Sequence, residues 1–179
     1  MALDMWERVW EEDFEEDIPL MRFAASWMRD NAPICEKPGI VHADYRMGNF
    51  LFREADGIIT AVLDWEGGRI GDFHQDLAWT MSYAYGQRDP DDGIFHVGGL
   101  LPESEFLETY EQVSGNVVDP KTLLYYKVMT GYIQGVLSAA TAFRVAKNGK
   151  TNQDVLQTLL LGITPTLLEE LRVNLEMAA

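Results

Sequence analysis

The feature that most constrains this chain is a loop between two short apolar runs that carries a histidine, a carboxylate and an amide at fixed spacing. The loop runs from His42 to Asn49, and Asp44 is its carboxylate. Gly39-Ile40-Val41 leads into it, and Phe50-Leu51-Phe52 leaves it. A loop held between strands can aim its side chains better than a free segment can. The pattern therefore predicts a small β structure built around this loop.

A second carboxylate, Asp64, is predicted to follow a β-hairpin. Asp56 and Gly57 have the chemistry of a tight turn, and the β-rich run 58–63 ends immediately before Asp64. Asp64 follows Asn49 by fifteen residues. Both acidic residues are thus expected where strands run out into loops.

These residue types suit the transfer of a phosphoryl group to a hydroxyl. Residues 42–49 fit the H-x-D-x-x-x-x-N pattern of a kinase catalytic loop, in which the aspartate reaches the attacking hydroxyl. Asp44 is the candidate for that role. Asn49 and Asp64 offer hard oxygen ligands to Mg²⁺ on nucleotide phosphates.

Residues 40–79 resemble the catalytic core of the aminoglycoside phosphotransferase and choline kinase-like family. Family members carry an H-G-D-x-x-x-x-N loop, an I/L-D-W/F-E segment and a G-D-x-x-x-D-L-A stretch, matched here at 42–49, 63–66 and 71–78. Ala43 replaces the usual glycine, a small-for-small change. The resemblance implies an α+β fold, namely the mostly helical carboxy-terminal lobe of a protein-kinase-like fold with a small β-hairpin that carries the catalytic and metal-binding loops.

The resemblance also implies roles for individual residues. Asp44 would be the catalytic base or hydroxyl-orienting residue, and Asn49 and Asp64 would bind Mg²⁺. Asp76 would brace the catalytic loop by accepting backbone hydrogen bonds, and His42 would be a structural anchor. The implied co-substrate is ATP or another nucleoside triphosphate, and the implied acceptor is a small-molecule hydroxyl.

The nucleotide-covering lobe of a kinase has no counterpart in this sequence. No Gly-rich phosphate loop and no strand-borne lysine of the V-A-I-K type precede His42, and the 41 upstream residues read as helix. The sequence is therefore interpreted as a single carboxy-terminal lobe over 1–179, with a helical segment at 1–38, a catalytic core at 39–85 and a helical subdomain at 86–179. An amino-terminal lobe would have to be supplied in cis or in trans. The sequence is compatible both with a fragment of a longer enzyme and with a protein that has a single lobe.

Composition limits the partners. The chain has 179 residues, 14 Lys and Arg against 29 Asp and Glu, and a formal net charge of −15. This balance argues against a nucleic-acid surface and against attraction to anionic membranes. It would suit a cationic substrate, but many of the acids lie on predicted helix surfaces, where a solvated face is the favoured interpretation.

Cysteine usage and hydropathy favour a soluble cytoplasmic protein. Cys35 is the single cysteine, so an internal disulfide and a Cys-based zinc cluster are excluded. No secretory signal is recognisable, and no eighteen-residue apolar run occurs.

Helices are predicted on both sides of the β core. Trp6, Val9, Trp10 and Phe14 form a stripe at three- and four-residue spacing, which is typical of core packing. The expected helices are 3–16, 19–30, 73–85, 102–114 and 120–147, followed by a final helical region from 152 to 177, and an irregular stretch is expected at 86–101. Pro19 suits the first position of its helix, and Asp72 can cap the helix 73–85, on which Phe73, Leu77, Met81 and Ala84 share one face. Gly149 is expected to end the helix 120–147, and Asn152 to cap the final region, which is expected to be interrupted near Gly162 and Pro165.

Further polar residues have two interpretations each. Glu66 follows Asp64 closely enough to touch an acceptor, and Arg46 and Arg69 either contact phosphate or acceptor or form structural ion pairs. His74 and His96 lack a metal-ligand partner at useful helical spacing, which favours structural histidines.

Three functions stay open at this stage. The first is an ATP-dependent phosphotransferase acting on an aminoglycoside, an amino alcohol or a hydroxy acid. The Tyr45-Arg46 and Trp65-Glu66 pairs look like the family branch associated with acyl-CoA dehydrogenases, so a hydroxy acid is a rival acceptor to an aminoglycoside. The second is a non-catalytic binding module of the same fold. The third is a metal-dependent hydrolase using His42, Asp44, Asp64 and His74.

Overall fold

The structure is a computed structural model that describes residues 2–148 and 154–178. It consists of two compact units. One unit comprises residues 33–127 and contains every strand that the structure describes. The other combines the first 32 residues with those from 128 onward, and its described elements are helices. We describe each unit by itself.

Two antiparallel strand pairs frame the loop at 42–49. β1 (Gly39–Val41) pairs with β4 (Arg69–Gly71), and Ile40 lies opposite Ile70. β2 (Phe50–Phe52) pairs with β3 (Ile59–Val62). The hairpin predicted from Asp56 and Gly57 is thus confirmed, and Gly57 has a φ of 69°, a left-handed value that glycine adopts without steric cost.

A third sheet corrects the prediction of an irregular stretch at 86–101. β5 (Gln87–Arg88), β6 (Phe95–Val97) and β7 (Leu101–Pro102) form an antiparallel sheet in that order. The strands are two or three residues long, which is too short for an alternation of apolar and polar residues to be visible in the sequence.

The helix predicted over 73–85 is shorter than expected. α3 (His74–Thr80) ends before Met81, and Ala84 is exposed instead of sharing the buried face. Ser82 accounts for the early end, because its hydroxyl accepts the backbone N–H of Ala84 at 3.3 Å and its carbonyl accepts that of Tyr85 at 3.0 Å. Such local bonds compete with helix continuation.

The core of this unit forms where α3 meets the third sheet and the following helices. α4 (Glu103–Ser114) lies where predicted, and α5 (Pro120–Gly135) begins as expected after Asp119. The carboxylate of Asp119 accepts the N–H and hydroxyl of Thr122, which caps α5. The buried core residues are Leu77, Ala78, Met81, Val97, Val118 and Leu123.

The helical unit begins with α1 (Ala2–Asp13) and α2 (Pro19–Asn31). α2 is confirmed within one residue, whereas α1 ends three residues before the predicted Glu16. The acidic side chains at and after the end of α1 are engaged elsewhere, since Asp13 pairs with Arg144 at 3.0 Å and Glu15 pairs with Lys147. The acidic face of α1 is therefore partly an ion-paired surface and not simply a solvated one.

The helical stretch that leads into the second half of this unit runs from 120 to 148, close to the predicted 120–147, whereas the final helix is more continuous than predicted. After α5, a π-helical turn over Val136–Thr141 leads directly into α6 (Ala142–Asn148). The interruption predicted near Gly162 and Pro165 is wrong, because α7 (Asp154–Met177) passes through both residues. Buried leucines at 167, 171 and 175 hold this helix in the core, which outweighs the single hydrogen bond that Pro165 removes. Gly149 and Asn152 lie outside the described residues.

Within the described residues, no helix combines the length and the apolar character that crossing a membrane would require.

Gly131 marks a close helix approach in the helical unit and yields a stability prediction. A Cβ at Gly131 would lie 3.1 Å from the Cβ of Leu171, whereas a Cβ at Gly162 would meet nothing within 4 Å. We expect Gly131→Val to lower the free energy of unfolding by about 1–3 kcal/mol through overpacking. Gly162→Val is the matched control and should leave it nearly unchanged. Chemical denaturation measures both, and equal effects would contradict the close approach.

Candidate active site

The loop at 42–49 is fixed through its backbone by a carboxylate from another element. Asp76, in the first turn of α3, accepts the backbone N–H of His42 through Oδ2 at 2.7 Å and that of Ala43 through Oδ1 at 2.8 Å. A carboxylate that receives two backbone donors forms charge-assisted bonds, which are stronger than neutral ones. The start of the loop is therefore tied to α3.

His42 is buried, and both of its ring nitrogens are used inside the protein. Nδ1 accepts the backbone N–H of Asp44 at 3.2 Å, and Nε2 donates to the carbonyl of Leu63 at 2.7 Å. This pair of bonds defines a neutral tautomer with its proton on Nε2. His42 therefore has no free nitrogen with which to act as a base or as a metal ligand.

Leu63 joins the two parts of the sequence motif through its backbone. Its N–H donates to the carbonyl of Asn49 at 2.8 Å, while its own carbonyl receives the His42 ring. Asp64 follows directly, with a left-handed φ of 65° and an exposed side chain. Aspartate tolerates this conformation better than most residues do. The ring of His42 and the carbonyl of Asn49 thus fix the chain immediately before the second carboxylate.

The Asp44 carboxylate receives three side-chain donors. Arg46 Nε donates to Oδ1 at 3.0 Å and to Oδ2 at 3.2 Å, and Asn49 Nδ2 donates to Oδ2 at 2.7 Å. Trp79 Nε1 donates to Oδ1 at 2.8 Å. These bonds hold the carboxylate in one orientation at the edge of the loop. Trp79 was missed in the sequence, where a tryptophan three residues after Asp76 is indistinguishable from a core residue of α3.

Asn49 is oriented by the same carboxylate. Its Nδ2 also donates to the backbone carbonyl of Asp44 at 2.8 Å, so the amide nitrogen faces Asp44. The amide oxygen, the atom that would bind a metal ion, is directed away from it. Asn49 is buried, which limits the rotation of this side chain.

The residues with two interpretations have different surroundings. Arg46 forms its ion pair with Asp44 and lies 5.7 Å from the ring centre of Tyr85. Arg69 donates to the carbonyl of Gly67 at 2.9 Å. Glu66 lies exposed in the short 3₁₀ turn Trp65–Gly67. The structure gives none of the three a contact that requires a substrate.

His74 and Cys35 belong to a separate structural cluster around Asp72. His74 is buried, with Nδ1 bonded to Asp72 at 2.6 Å and Nε2 accepting the backbone N–H of Asp119 at 3.0 Å. Burial, together with the nearby charge of Asp72, raises the pKa of the Cys35 thiol above its usual value, which is the opposite of what a thiolate nucleophile needs. His96 lies within β6.

Over residues 2–148 and 154–178, no group of three or more histidine, cysteine, aspartate or glutamate side chains is arranged to hold a metal ion. A hydrolase centre built on His42 and His74 is thus not supported, because the ring nitrogens of both are occupied. Mg²⁺ commonly takes only one or two carboxylates, with substrate phosphates and water as its other ligands. Asn49 and Asp64 fit that second pattern by their chemistry.

Comparison with known sequences places this geometry in a family. The sequence model of the phosphotransferase enzyme family (APH) matches residues 1–115, which include the loop, the hairpin and α3. The chain belongs to the phosphotransferase enzyme family. The family resemblance inferred from residues 40–79 is confirmed.

The curated relatives of this family member are much longer proteins. Human acyl-CoA dehydrogenase family member 11 is 29% identical over 144 residues, which cover 74% of this chain and 18% of that protein. Its chicken counterpart is 31% identical over 81 residues, covering 45% and 10% respectively. The chain thus spans less than a fifth of the length of these relatives.

A solved structure has the same fold. The crystal structure of a candidate aminoglycoside phosphotransferase from Ralstonia eutropha superposes with a TM-score of 0.79 at 20% sequence identity, over 99% of this chain and 55% of that one. The predicted α+β fold with a helical lobe and small antiparallel sheets is confirmed.

Ala43 departs from the family pattern at a position where the backbone matters. Its φ is 68°, a left-handed conformation that costs an L-residue about 1–2 kcal/mol and glycine much less. We expect Ala43→Gly to raise the free energy of unfolding by about 0.5–1 kcal/mol after the larger entropy loss of glycine is subtracted. Ala55→Gly in the hairpin turn, where φ is not positive, should lower it. A loss of stability in Ala43→Gly would contradict the left-handed assignment.

Asp76→Asn tests the backbone tie directly. The substitution leaves one acceptor oxygen and turns an N–H group toward one of the two backbone donors of His42 and Ala43. We expect a loss of about 1–3 kcal/mol in the free energy of unfolding, the usual cost of a buried donor without a partner. Glu54→Gln in the exposed hairpin turn is the control and should be neutral. Hydrogen exchange should localise the loosening to residues 42–44.

Proposed function

We propose that this chain carries the catalytic half-site of a nucleotide-dependent phosphotransferase that acts on the hydroxyl group of a small molecule. The supporting observation is the Asp44 carboxylate, which Arg46, Asn49 and Trp79 hold in one orientation. A carboxylate with fixed geometry is what the orientation of an attacking hydroxyl requires.

In this proposal the side chains divide the work. The acceptor hydroxyl lies against Asp44, replacing part of the Arg46 contact; its oxygen bonds to the transferred phosphorus as the bond to the leaving nucleotide oxygen breaks, and its proton passes to the Asp44 carboxylate. Asn49 and Asp64 would hold Mg²⁺ through their side-chain oxygen atoms. When bound, Mg²⁺ neutralises the charge that develops on the phosphate oxygens.

Several finer assignments belong to the same proposal. Asp76 and His42 position the loop, and Glu66 and Arg46 are candidate acceptor contacts. ATP is the proposed phosphoryl donor. The proposed catalytic core is 39–85, between a helical segment at 1–38 and a carboxy-terminal subdomain at 86–179 in which the sheet β5–β7 precedes the helices. An amino-terminal lobe in cis or in trans would complete the nucleotide site. An aminoglycoside, an amino alcohol and a hydroxy acid are the proposed acceptor classes, and a cytoplasmic location is proposed.

The names of the curated relatives bear on the acceptor. Human acyl-CoA dehydrogenase family member 11 is named for a reaction of acyl thioesters, and this chain matches a small part of it. An acceptor that carries both a hydroxyl and an acyl chain would fit that association better than a polycationic sugar would.

Nucleotide binding tests the proposal in its simplest form. We expect calorimetric titration of the chain with ATP and Mg²⁺ to give binding that disappears in Asp64→Asn, because that substitution removes the exposed metal ligand. Glu54→Gln, which removes another exposed carboxylate from the hairpin that precedes Asp64, should bind like the wild type. Where binding is present, Asp44→Asn should keep it but lower phosphoryl transfer about 10²–10⁴-fold. Equal binding in both Asp64→Asn and the wild type would contradict the metal assignment, and no binding would mean that this chain has no usable nucleotide site by itself.

A further inference from the structure

An apolar pocket of about 410 Å³ lies beside the candidate catalytic loop. Tyr45, Met47 and Phe50, which line it, belong to the loop or follow it directly, so the pocket and Asp44 share one segment of backbone. Its volume falls in the usual range of about 300–1,000 Å³ for small-molecule sites. The pocket lies entirely within the unit of residues 33–127.

The lining of this pocket offers almost nothing to a polar ligand. None of the described residues that line it carries a charge, and Tyr45 and Thr80 are its only polar side chains. The hydroxyl of Thr80 is already used, since it donates to the backbone carbonyl of Tyr45 at 2.7 Å. A cationic sugar placed here would lose its hydration without gaining partners, which is costly.

The rim of the pocket is apolar and accessible. Phe52 is 60% exposed, Ile59 is 52% exposed and Leu100 is 63% exposed, and all three line the same cavity. Val97 and Phe106 form part of its deeper wall, the first of them buried. Large apolar side chains that stay exposed around one concavity mark a binding site.

We propose that this pocket binds the aliphatic chain of a small molecule and that the chain belongs to the hydroxyl acceptor. The second half of the statement rests on the proposed function, whereas the first half does not. The pocket then selects acceptors by the length of an alkyl or acyl chain, while the hydroxyl group is left for Asp44 in the adjoining loop.

The binding half is tested without nucleotide or metal. Titration calorimetry of the chain with butanol, hexanol and octanol should show Kd falling about fourfold per added methylene, since each buried CH₂ contributes about 0.8 kcal/mol. The aminoglycoside kanamycin should not compete with octanol. A Kd that does not depend on chain length would overturn the proposal.

Two charged variants place the binding in this pocket. Leu100→Asp and Phe52→Asp put a carboxylate on the rim at side chains that are already exposed, and each should weaken octanol binding at least fourfold. Val113→Asp is the matched control, because Val113 is 84% exposed on α4 and does not line the pocket. Circular dichroism and the melting temperature check that all three variants fold. Unchanged octanol binding in both rim variants would overturn the assignment.

The acceptor half needs a separate outcome. If octanol binds as expected and phosphoryl transfer to straight-chain hydroxy compounds increases with chain length, both the binding claim and the acceptor claim hold. If octanol binds while transfer occurs equally to short and long acceptors, the acceptor claim is wrong and the binding claim holds. Where the chain binds ATP with Mg²⁺, absence of any transfer with octanol still bound contradicts the proposed function and leaves the pocket. A different result would be a wild-type chain that forms a dimer and does not bind octanol, together with a Leu100→Asp variant that is monomeric. It would show that a second copy of the chain occupies the pocket, and the proposal would be wrong.

Discussion

The bonds between the Asp76 carboxylate and the backbone of His42 and Ala43 are the constraint on which the rest of the site depends. They join α3 to the start of the loop, so the loop does not rely on its own short strands for its position. The His42 ring extends this hydrogen-bond network, because it bonds both to the backbone N–H of Asp44 and to the backbone carbonyl of Leu63. A carboxylate that bridges two backbone donors is a strong local restraint, and here it acts at the start of the loop that carries Asp44.

A few hydrogen bonds join the parts of the site that are distant in sequence. The backbone of Leu63 bonds to the loop in both directions, and this places Asp64 next to a fixed point of the same network. The indole N–H of Trp79, on α3, donates to the Asp44 carboxylate. α3 therefore contacts the loop twice, at its backbone through Asp76 and at the Asp44 carboxylate through Trp79. Substitutions in α3 should therefore affect the candidate site, although neither proposed metal ligand lies on this helix.

Sequence reasoning predicted β1, β2, β3, the hairpin and the position of the loop residues, because each depends on local chemistry: the Asp-Gly turn, the short apolar runs and the spacing of the polar residues. It did not predict β4 or the third sheet, since these strands of two or three residues carry no periodic signal. It placed a break at Pro165, where packing of the buried leucines of α7 outweighs one lost hydrogen bond. It also treated Ala43 as a neutral replacement, because a positive φ cannot be read from an alanine. The Trp79 contact was invisible for a related reason, as it depends on which face α3 turns toward the loop.

The bond from Trp79 to Asp44 gives this protein an intrinsic optical reporter. Indole emission responds to the polarity and charge around the ring, and here the indole N–H is in direct contact with the carboxylate at the centre of the candidate site. A change in the environment of Asp44, whether through a bound cation, a displaced Arg46 or a docked hydroxyl, alters the surroundings of that fluorophore. Occupancy of the loop can thus be followed by light in the unlabelled chain, with Trp79→Phe defining which part of the signal comes from the other tryptophans.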